Sequence, residues 1–386
     1  MQFKAAISTL TDASAAISQL RAAIEGIEPD LVLFFMSAHY GPRFDRVLTE
    51  VRERINTRNL MGCTARGIIG ADREVEDAPA MAIWAARLPG VRLLPFVIDQ
   101  NDVQNLEGTE GWREHLAVSP DAKPCFIVLP DPFTIDIEHV LEQIDEAFPG
   151  STAVGGLASA AGAPGENRLF LNDQVLRQGL VGISLSGPIV IDTVVSQGCR
   201  PVGEPFVVTR AERNVIYELR GRPALDVVRH VFASAPAADQ ALMQNGLHLG
   251  RVVNEQLEKF GPGDFLIRNL LEVVDDSGLA VGAFIRPGQT IQFHVRDSKS
   301  ADQEMRQLLA EKISSMPAPP TGGLLFTCNG RGARMFGAPN HDIGLVNSVA
   351  KDCQIAGFFA AGEIGPVGNK TFVHGFTSSL VLFRRP

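Results

Sequence analysis

Hydrophobic residues along this chain fall into short apolar runs separated by stretches of helical periodicity, and one order of patterns occurs three times. Leu31-Val32-Leu33-Phe34-Phe35 reads as a buried strand, Val47, Leu48, Val51 and Ile55 share one face of a helix, and Leu60-Met61 leads into Gly62. Phe126-Ile127-Val128-Leu129 opens a second round, with Ile137, Val140, Leu141 and Ile144 at helical spacing before Ala153-Val154-Gly155-Gly156. The third runs from Leu324-Leu325-Phe326 through a helix near Asn340 to Ala350, carrying Ile343, Val346 and Val349 inward, to Ile355-Ala356-Gly357. Each round predicts strand, helix, strand and glycine turn.

The first and third rounds also share a glycine spacing, G-x4-G-x2-G, at Gly62, Gly67, Gly70 and at Gly357, Gly362, Gly365. Internal duplication is the simplest explanation, with the middle copy the most diverged. After the glycines the pattern turns to alternation: Leu169-Phe170-Leu171, then Asn172-Asp173, then Gly179 to Leu185, which is hairpin chemistry. Residues Phe372 to Phe383 read as strand around Gly375. Such units predict an α/β, mixed α+β fold of mixed sheets covered by helices, in two intimately packed domains.

The segment from about 190 to 320 has a different grain. Val207-Val208-Thr209, Val215-Ile216-Tyr217, Phe265-Leu266-Ile267 and Thr290 to Arg296 read as strands. Pro223 suits the first turn of a helix bearing Leu225, Val228, Val231 and Phe232, and Ser300 with Gln303 forms a capping box for another. The expected organisation is a lead-in helix within 1–29, with Ile17, Leu20 and Ile24 inward, a first domain over 30–205 and a second over 206–386.

Composition narrows the function classes. A length of 386 residues with 45% hydrophobic content supports a sizeable core, and no run reaches the roughly 18 apolar residues of a membrane span. Lys4 is followed by no apolar core of signal-peptide length. Five cysteines without a CxxC pair favour reduced thiols and a cytoplasmic protein over disulfides or structural zinc. A formal charge of −9 argues against nucleic acid as a partner. The sequence lacks GxSxG, HExxH and a P-loop, and Met335 stands where a third glycine would complete GxGxxG after Gly330 and Gly332. No cofactor or metal is expected, and oligomeric state is not legible.

The candidate chemistry lies near the end of the chain. Asn329-Gly330-Arg331-Gly332 follows a buried strand, where backbone amides and a guanidinium suit an anion such as a carboxylate. An ordinary strand-to-helix loop with Arg331 in solvent is the plainer reading. Glu363, flanked by Gly362 and close to Gly365, is a carboxylate in an otherwise apolar stretch, suited to a ligand ammonium or to a salt bridge; the first copy has Ile68 there. His374, beside Gly375, is either a buried hydrogen-bonded histidine or a ligand contact. Cys328 is a candidate reactive thiol if Arg331 lowers its pKa, and otherwise a small buried residue. Gln292, His294 and Arg296 alternate on one strand and share a face, which reads as the solvent side or else a pocket wall.

Asn-Gly-Arg-Gly at 329–332, Ala-Gly-Glu-Ile-Gly-Pro at 361–366 and His374-Gly375-Phe376-Thr377 together resemble the FIST C domain. The Leu31 to Phe35 run, His39-Tyr40 and Gly62-Cys63-Thr64 resemble the FIST N domain, so the likeness covers the chain after about residue 30. It implies a sensory or signalling protein that binds a small ligand, with amino acids suggested; the residues themselves leave as an alternative an enzyme using Cys328 or Glu363 with Arg331. The residues before 30 leave no room for the F-box that accompanies these domains in eukaryotes. Any output then passes to a separate protein partner, the alternative being an interaction scaffold.

Overall fold

The computed structural model describes residues 1–261 and 263–386, with Pro42 as backbone only. Two compact bodies emerge: Met1–Val195 with Arg306–Val373 and Thr377–Pro386, and Ser196–Met305 with His374–Phe376. The fold is mixed α+β, as the patterning predicts.

The larger body opens with β1 (Gln2–Ser8), α1 (Ala13–Ala23), β2 (Leu31–Ser37), α2 (Phe44–Arg54), β3 (Asn59–Ala65), β4 (Gly67–Gly70), β5 (Arg73–Val75) and β6 (Met81–Arg87). It continues through β7 (Arg92–Ile98), α3 (Gln100–Asn105), α4 (Gly108–Leu116), β8 (Cys125–Pro130), α5 (Ile137–Ala147), β9 (Thr152–Gly156), β10 (Leu169–Leu171), β11 (Gln174–Leu176) and β12 (Leu180–Ser186) to β13 (Val190–Gln197). The smaller body holds β14 (Cys199–Glu212), β15 (Val215–Leu219), β16 (Arg222–Pro223), α6 (Ala224–Ser234), α7 (Ala237–Asn245), β17 (Leu247–Val252), β18 (Phe265–Val274), β19 (Gly278–Val281) and β20 (Thr290–Arg296). After α8 (Ser298–Ser315) come β21 (Gly322–Cys328), α9 (Ala333–Phe336), α10 (His341–Val349), β22 (Gln354–Ala360), β23 (Glu363–Val367), β24 (Lys370–His374) and β25 (Thr377–Arg384).

Three six-stranded sheets build the larger body, in the orders β1-β6-β2-β3-β10-β11, β7-β12-β8-β9-β23-β24 and β13-β25-β21-β22-β4-β5. They share one plan. A parallel pair lies at the centre of each (β2 with β3, β8 with β9, β21 with β22), joined by a helix crossover, and an antiparallel strand flanks its first member. The hairpin that follows each pair does not fold back on its own sheet; β4–β5 joins β22, β10–β11 joins β3 and β23–β24 joins β9. One core runs between the sheets, with Phe35, Trp84, Ile127, Leu129, Phe326 and Phe358 fully buried in it. Ile17, Leu20, Val47 and Val51 of α1 and α2 pack on Val32 and Phe34, while Trp112, Val140 and Ile144 of α4 and α5 pack on Phe126 and Val128.

Of the repeated glycines, Gly62, Gly67, Gly70, Gly357 and Gly365 prove to be strand residues, and Gly362 lies in the bend between β22 and β23. Gly62, Gly155 and Gly357 each stand fourth in β3, β9 and β22, opposite Phe34, Val128 and Leu325. A Cβ added there would come within 1.8–1.9 Å of the carbonyl oxygen of that partner. The constraint is thus close approach of two backbones, which a turn reading from glycine content alone misses. The opposing residue of the incoming hairpin, Phe170, Ile364 or Ile69, lies across from the glycine.

In the smaller body the ring β14-β20-β17-β18-β19-β15 closes through a β14–β15 pairing. Register shifts between Val202 and Phe206, and again from Val208 to Ala211, let the long β14 pair with β20 along one part and β15 along another. Asp297 rather than Ser300 organises the start of α8: its carboxylate accepts the Lys299 N–H and the Ser300 hydroxyl.

Replacing Gly357 with Ala should cost at least about 2 kcal/mol in urea unfolding, since the added methyl meets backbone. Gly344→Ala on the exposed side of α10, where nothing lies within 4 Å, should instead stabilise by about 0.5–1 kcal/mol.

Candidate functional site

The carboxyl end of the third parallel pair differs in polarity from the other two. At the sixth position of the first strand and its antiparallel partner stand Met36 with Met81, and Pro130 with Leu180, but Thr327 with Ser378 in the third sheet. One residue further in, Phe35 with Ala82 and Leu129 with Val181 correspond to Phe326 with Ser379. On the incoming hairpins, Leu169 enters the first sheet opposite Cys63 and Ile68 the third opposite Phe358, whereas Glu363 enters the second opposite Gly156. Thr327, Ser378, Ser379 and Glu363 are all essentially inaccessible to solvent.

Arg331 is the centre of this polar end. Its side chain is 0% exposed, and its Nε and Nη2 donate to Asp342 Oδ2 and Oδ1 at 2.7 and 2.8 Å. Asp342 enters from the first turn of α10 and also accepts the Thr327 hydroxyl at 2.7 Å. The guanidinium lies over Phe336 at 5.2 Å, and Phe336 stacks in turn on His341, whose Nδ1 is 2.9 Å from Asp342 Oδ1. Burial alone disfavours both charges, but the facing partner outweighs it: Asp342 is held well below the usual carboxylate range and Arg331 is held protonated. Glu363 and Cys328 also act electrostatically on the guanidinium.

The hairpin β4–β5 supplies an acidic arm to the same loop. Glu74 Oε1 accepts the Ile343 N–H at 2.8 Å, Asn340 Oδ1 accepts the Glu74 N–H, and Glu76 accepts the Ala333 N–H at 2.8 Å. Gly332, at φ +78°, fits under Glu76, whose carboxylate would lie 2.6 Å from an added Cβ. Burial, then repulsion from Asp342, pushes the Glu74 carboxyl up to about 7.

The sequence-derived candidates separate as follows. Asn329 and Gly330 are half-buried, Gly332 is buried, and Asn329 N–H donates to Ala360 O while Arg331 N–H donates to Cys328 O. Gly362 is buried and its carbonyl accepts the Leu157 N–H. Glu363 opens β23, where its Oε2 accepts the Thr377 N–H at 3.0 Å, and Gly365 packs against Ser379 in the same strand. His374, buried, ends β24 and groups with the smaller body. Cys328 is half-buried, whereas burial pushes Cys125 and Cys353 up to about 12 and Cys63 well above an ordinary thiol. Gln292 and His294, read from sequence as solvent-facing, are buried.

Among the described residues, the buried polar atoms at this end without a hydrogen-bond partner include Arg331 Nη1, Asn329 Oδ1, Ser378 Oγ and Glu74 Oε2. Such groups cost stability, about 1–3 kcal/mol each. Sequence reading missed Asp342, Thr327, Ser378, Glu74 and Glu76. An acidic residue in the first turn of a helix was a visible signal for Asp342; nothing local points from Arg331 to it. Among the described residues no three His, Cys, Asp or Glu side chains converge as metal ligands, and no helix is long and apolar enough to cross a membrane.

Asp342→Asn leaves a buried guanidinium uncompensated and should cost about 3–5 kcal/mol in denaturant unfolding, with much of the loss recovered in Arg331→Met/Asp342→Leu. For Glu74 the protonated form is favoured by the fold, so its contribution is present below pH 4.5 and lost as pH rises to about 7. Stability of the wild type relative to Glu74→Gln should therefore fall across that window, and parallel pH profiles would contradict the assignment.

Comparison with known proteins places the chain. It is 38% identical to the uncharacterized protein Rv0628c of Mycobacterium tuberculosis, over 99% of this chain and 100% of that one. It is 37% identical to the uncharacterized protein Mb0898c of Mycobacterium bovis, over 95% and 94% of the two chains. Solved structures of cyanuric acid hydrolase, one of them from A. caulinodans, align over 100% of this chain and 99% or 100% of theirs, at 7% and 10% identity. Their TM-scores of 0.38 and 0.33 are too low for fold or activity to be carried over. The sequence matches the FIST N domain over residues 30–222 and the FIST C domain over residues 224–366. The chain therefore belongs to the FIST family, whose domains are associated with sensory signalling and the binding of small ligands.

Proposed function

We propose that this protein is a cytoplasmic sensor of a small carboxylate or amino acid, held at the polar carboxyl end of β21 and β22, and that a separate protein partner reads the bound state. The observation that carries this reading is the set of partnerless buried atoms Arg331 Nη1, Asn329 Oδ1 and Ser378 Oγ, with Glu363 acting electrostatically on the guanidinium. A guanidinium edge suits a carboxylate, while a carboxylate and an amide oxygen suit an ammonium group, so the set complements a zwitterion. The carboxyl ends of parallel strands are also where ligands of α/β sheets bind. Entry runs through the loop 329–340, whose Arg334, Gly337, Ala338 and Pro339 are exposed. The first two parallel pairs are apolar at the matching strand positions, Met36 with Met81 and Pro130 with Leu180, and the third was given chemistry. Five cysteines outside any disulfide fit a reducing compartment.

A thermal-shift panel of amino acids and small carboxylates tests the proposal, a ligand at a hundred times its Kd adding about 2.7 kcal/mol. Ser378→Ala should separate binding from folding. Removing a partnerless hydroxyl should raise the melting temperature of the free protein, yet weaken the response to ligand. No response to any compound, or a response that Ser378→Ala and Asn329→Ala leave intact, would overturn the assignment.

A further inference from the structure

The larger body holds a cavity of about 200 Å³ at the amino ends of β8 and β9, the ends away from Pro130 and Gly156. Three segments meet there: the approach to β8, the turn from α5 into β9, and the bend from β12 into β13. Lys123, Ser151, Thr152, Ser186, Ile189 and Ile191 are among the lining residues. Lys123 is the one charged residue of this lining, and its ammonium makes no ion pair or hydrogen bond among the described residues. Cys125, the other titratable group there, stays a neutral thiol because burial pushes it up to about 12. No group of the wall cancels the positive charge. Ser151 Oγ is buried with no hydrogen-bond partner. The hydroxyls of Thr152 and Ser186, both half-buried, also donate to nothing among the described residues.

An ammonium and three hydroxyl protons not yet given to the protein favour an occupant that is anionic and has more than one acceptor oxygen. Ile189 and Ile191, half-buried in the same lining, favour one that is also partly apolar. We propose that this cavity binds a small aliphatic carboxylate, its oxygens held by Lys123 and Ser151 and its short tail lying on Ile189 and Ile191. The volume lies below the roughly 300–1,000 Å³ of drug-sized pockets, which keeps that tail short. The proposal is independent of the sensor reading, because it shares no residue with the polar end of the third sheet and asks for no ammonium group in the ligand.

The test titrates butyrate, butanol, butylammonium and inorganic phosphate into the whole chain at matched ionic strength and pH 7, read by the isoleucine methyl resonances and by thermal shift. Butyrate should displace the Ile189 and Ile191 signals saturably and raise the melting temperature, while the other three leave both signals in place. Lys123→Gln should weaken butyrate about tenfold, the worth of one charge-assisted hydrogen bond, and Lys123→Arg should keep most of the affinity. Ser151→Ala should raise the melting temperature of the free protein yet weaken butyrate, whereas Ser378→Ala should leave the Ile189 and Ile191 response unchanged. Unmoved Ile189 and Ile191 signals on the wild type overturn the proposal without reference to any variant. So does an equal response to butanol, which would make the cavity a plain apolar pocket, an equal response to phosphate, which would make the tail irrelevant, or full retention of binding in Lys123→Gln.

Discussion

The larger body depends on a contact in which a side chain is forbidden. At Gly62, Gly155 and Gly357 the two central strands of each sheet approach so closely that a Cβ would meet the neighbouring carbonyl oxygen within 2 Å. Each glycine is also where the hairpin from another unit takes its place in the sheet, through Phe170, Ile364 or Ile69. The same three positions therefore set the spacing of the parallel pair and seat the strand that ties one sheet to another. Burial of aromatic side chains such as Phe35, Trp84, Phe326 and Phe358 supplies the driving force, but the absent side chains decide which strands can assemble.

On that shared frame, the third sheet departs from the others in chemistry rather than in shape. Where the first two bury Met36 and Met81, or Pro130 and Leu180, it buries Thr327 and Ser378. Arg331 and Asp342 make this tolerable by neutralising each other in a two-bond pair, with Phe336 over the guanidinium plane. Removal from water strengthens every such interaction and equally raises the cost of each polar atom left over. A fold that needed nothing but stability would have kept the apolar version it already uses twice.

Much of the secondary structure was legible because the core-facing residues obey simple periods. Val47, Leu48 and Val51, or Val140, Leu141 and Ile144, announce their helices, and the short apolar runs announce central strands. The family likeness was carried by the Asn329 to Gly332 and Ala361 to Pro366 motifs. What stayed hidden has physical causes. Strand order cannot be read when a hairpin leaves its own sheet, so the arrival of Glu74 and Glu76 beside Arg331 had no local signature. The alternation of Gln292, His294 and Arg296 told which residues share a face but not that the face is covered. Gly62 and Gly357 looked like turns because glycine marks both sharp bends and close approach, and only the neighbouring backbone distinguishes them.

The exchange of hairpins between sheets bears on how the chain is made. The strand β4, with its buried Ile68 and Ile69, pairs with β22, about 290 residues later in the sequence. During synthesis this apolar hairpin emerges early and waits for nearly the whole polypeptide before its partner exists, as does the hydrogen bond between Glu74 and Ile343. The polar end of the third sheet is therefore the last part of the larger body that can be completed, and a nascent or truncated chain lacking β22 would present an unpaired sticky edge there.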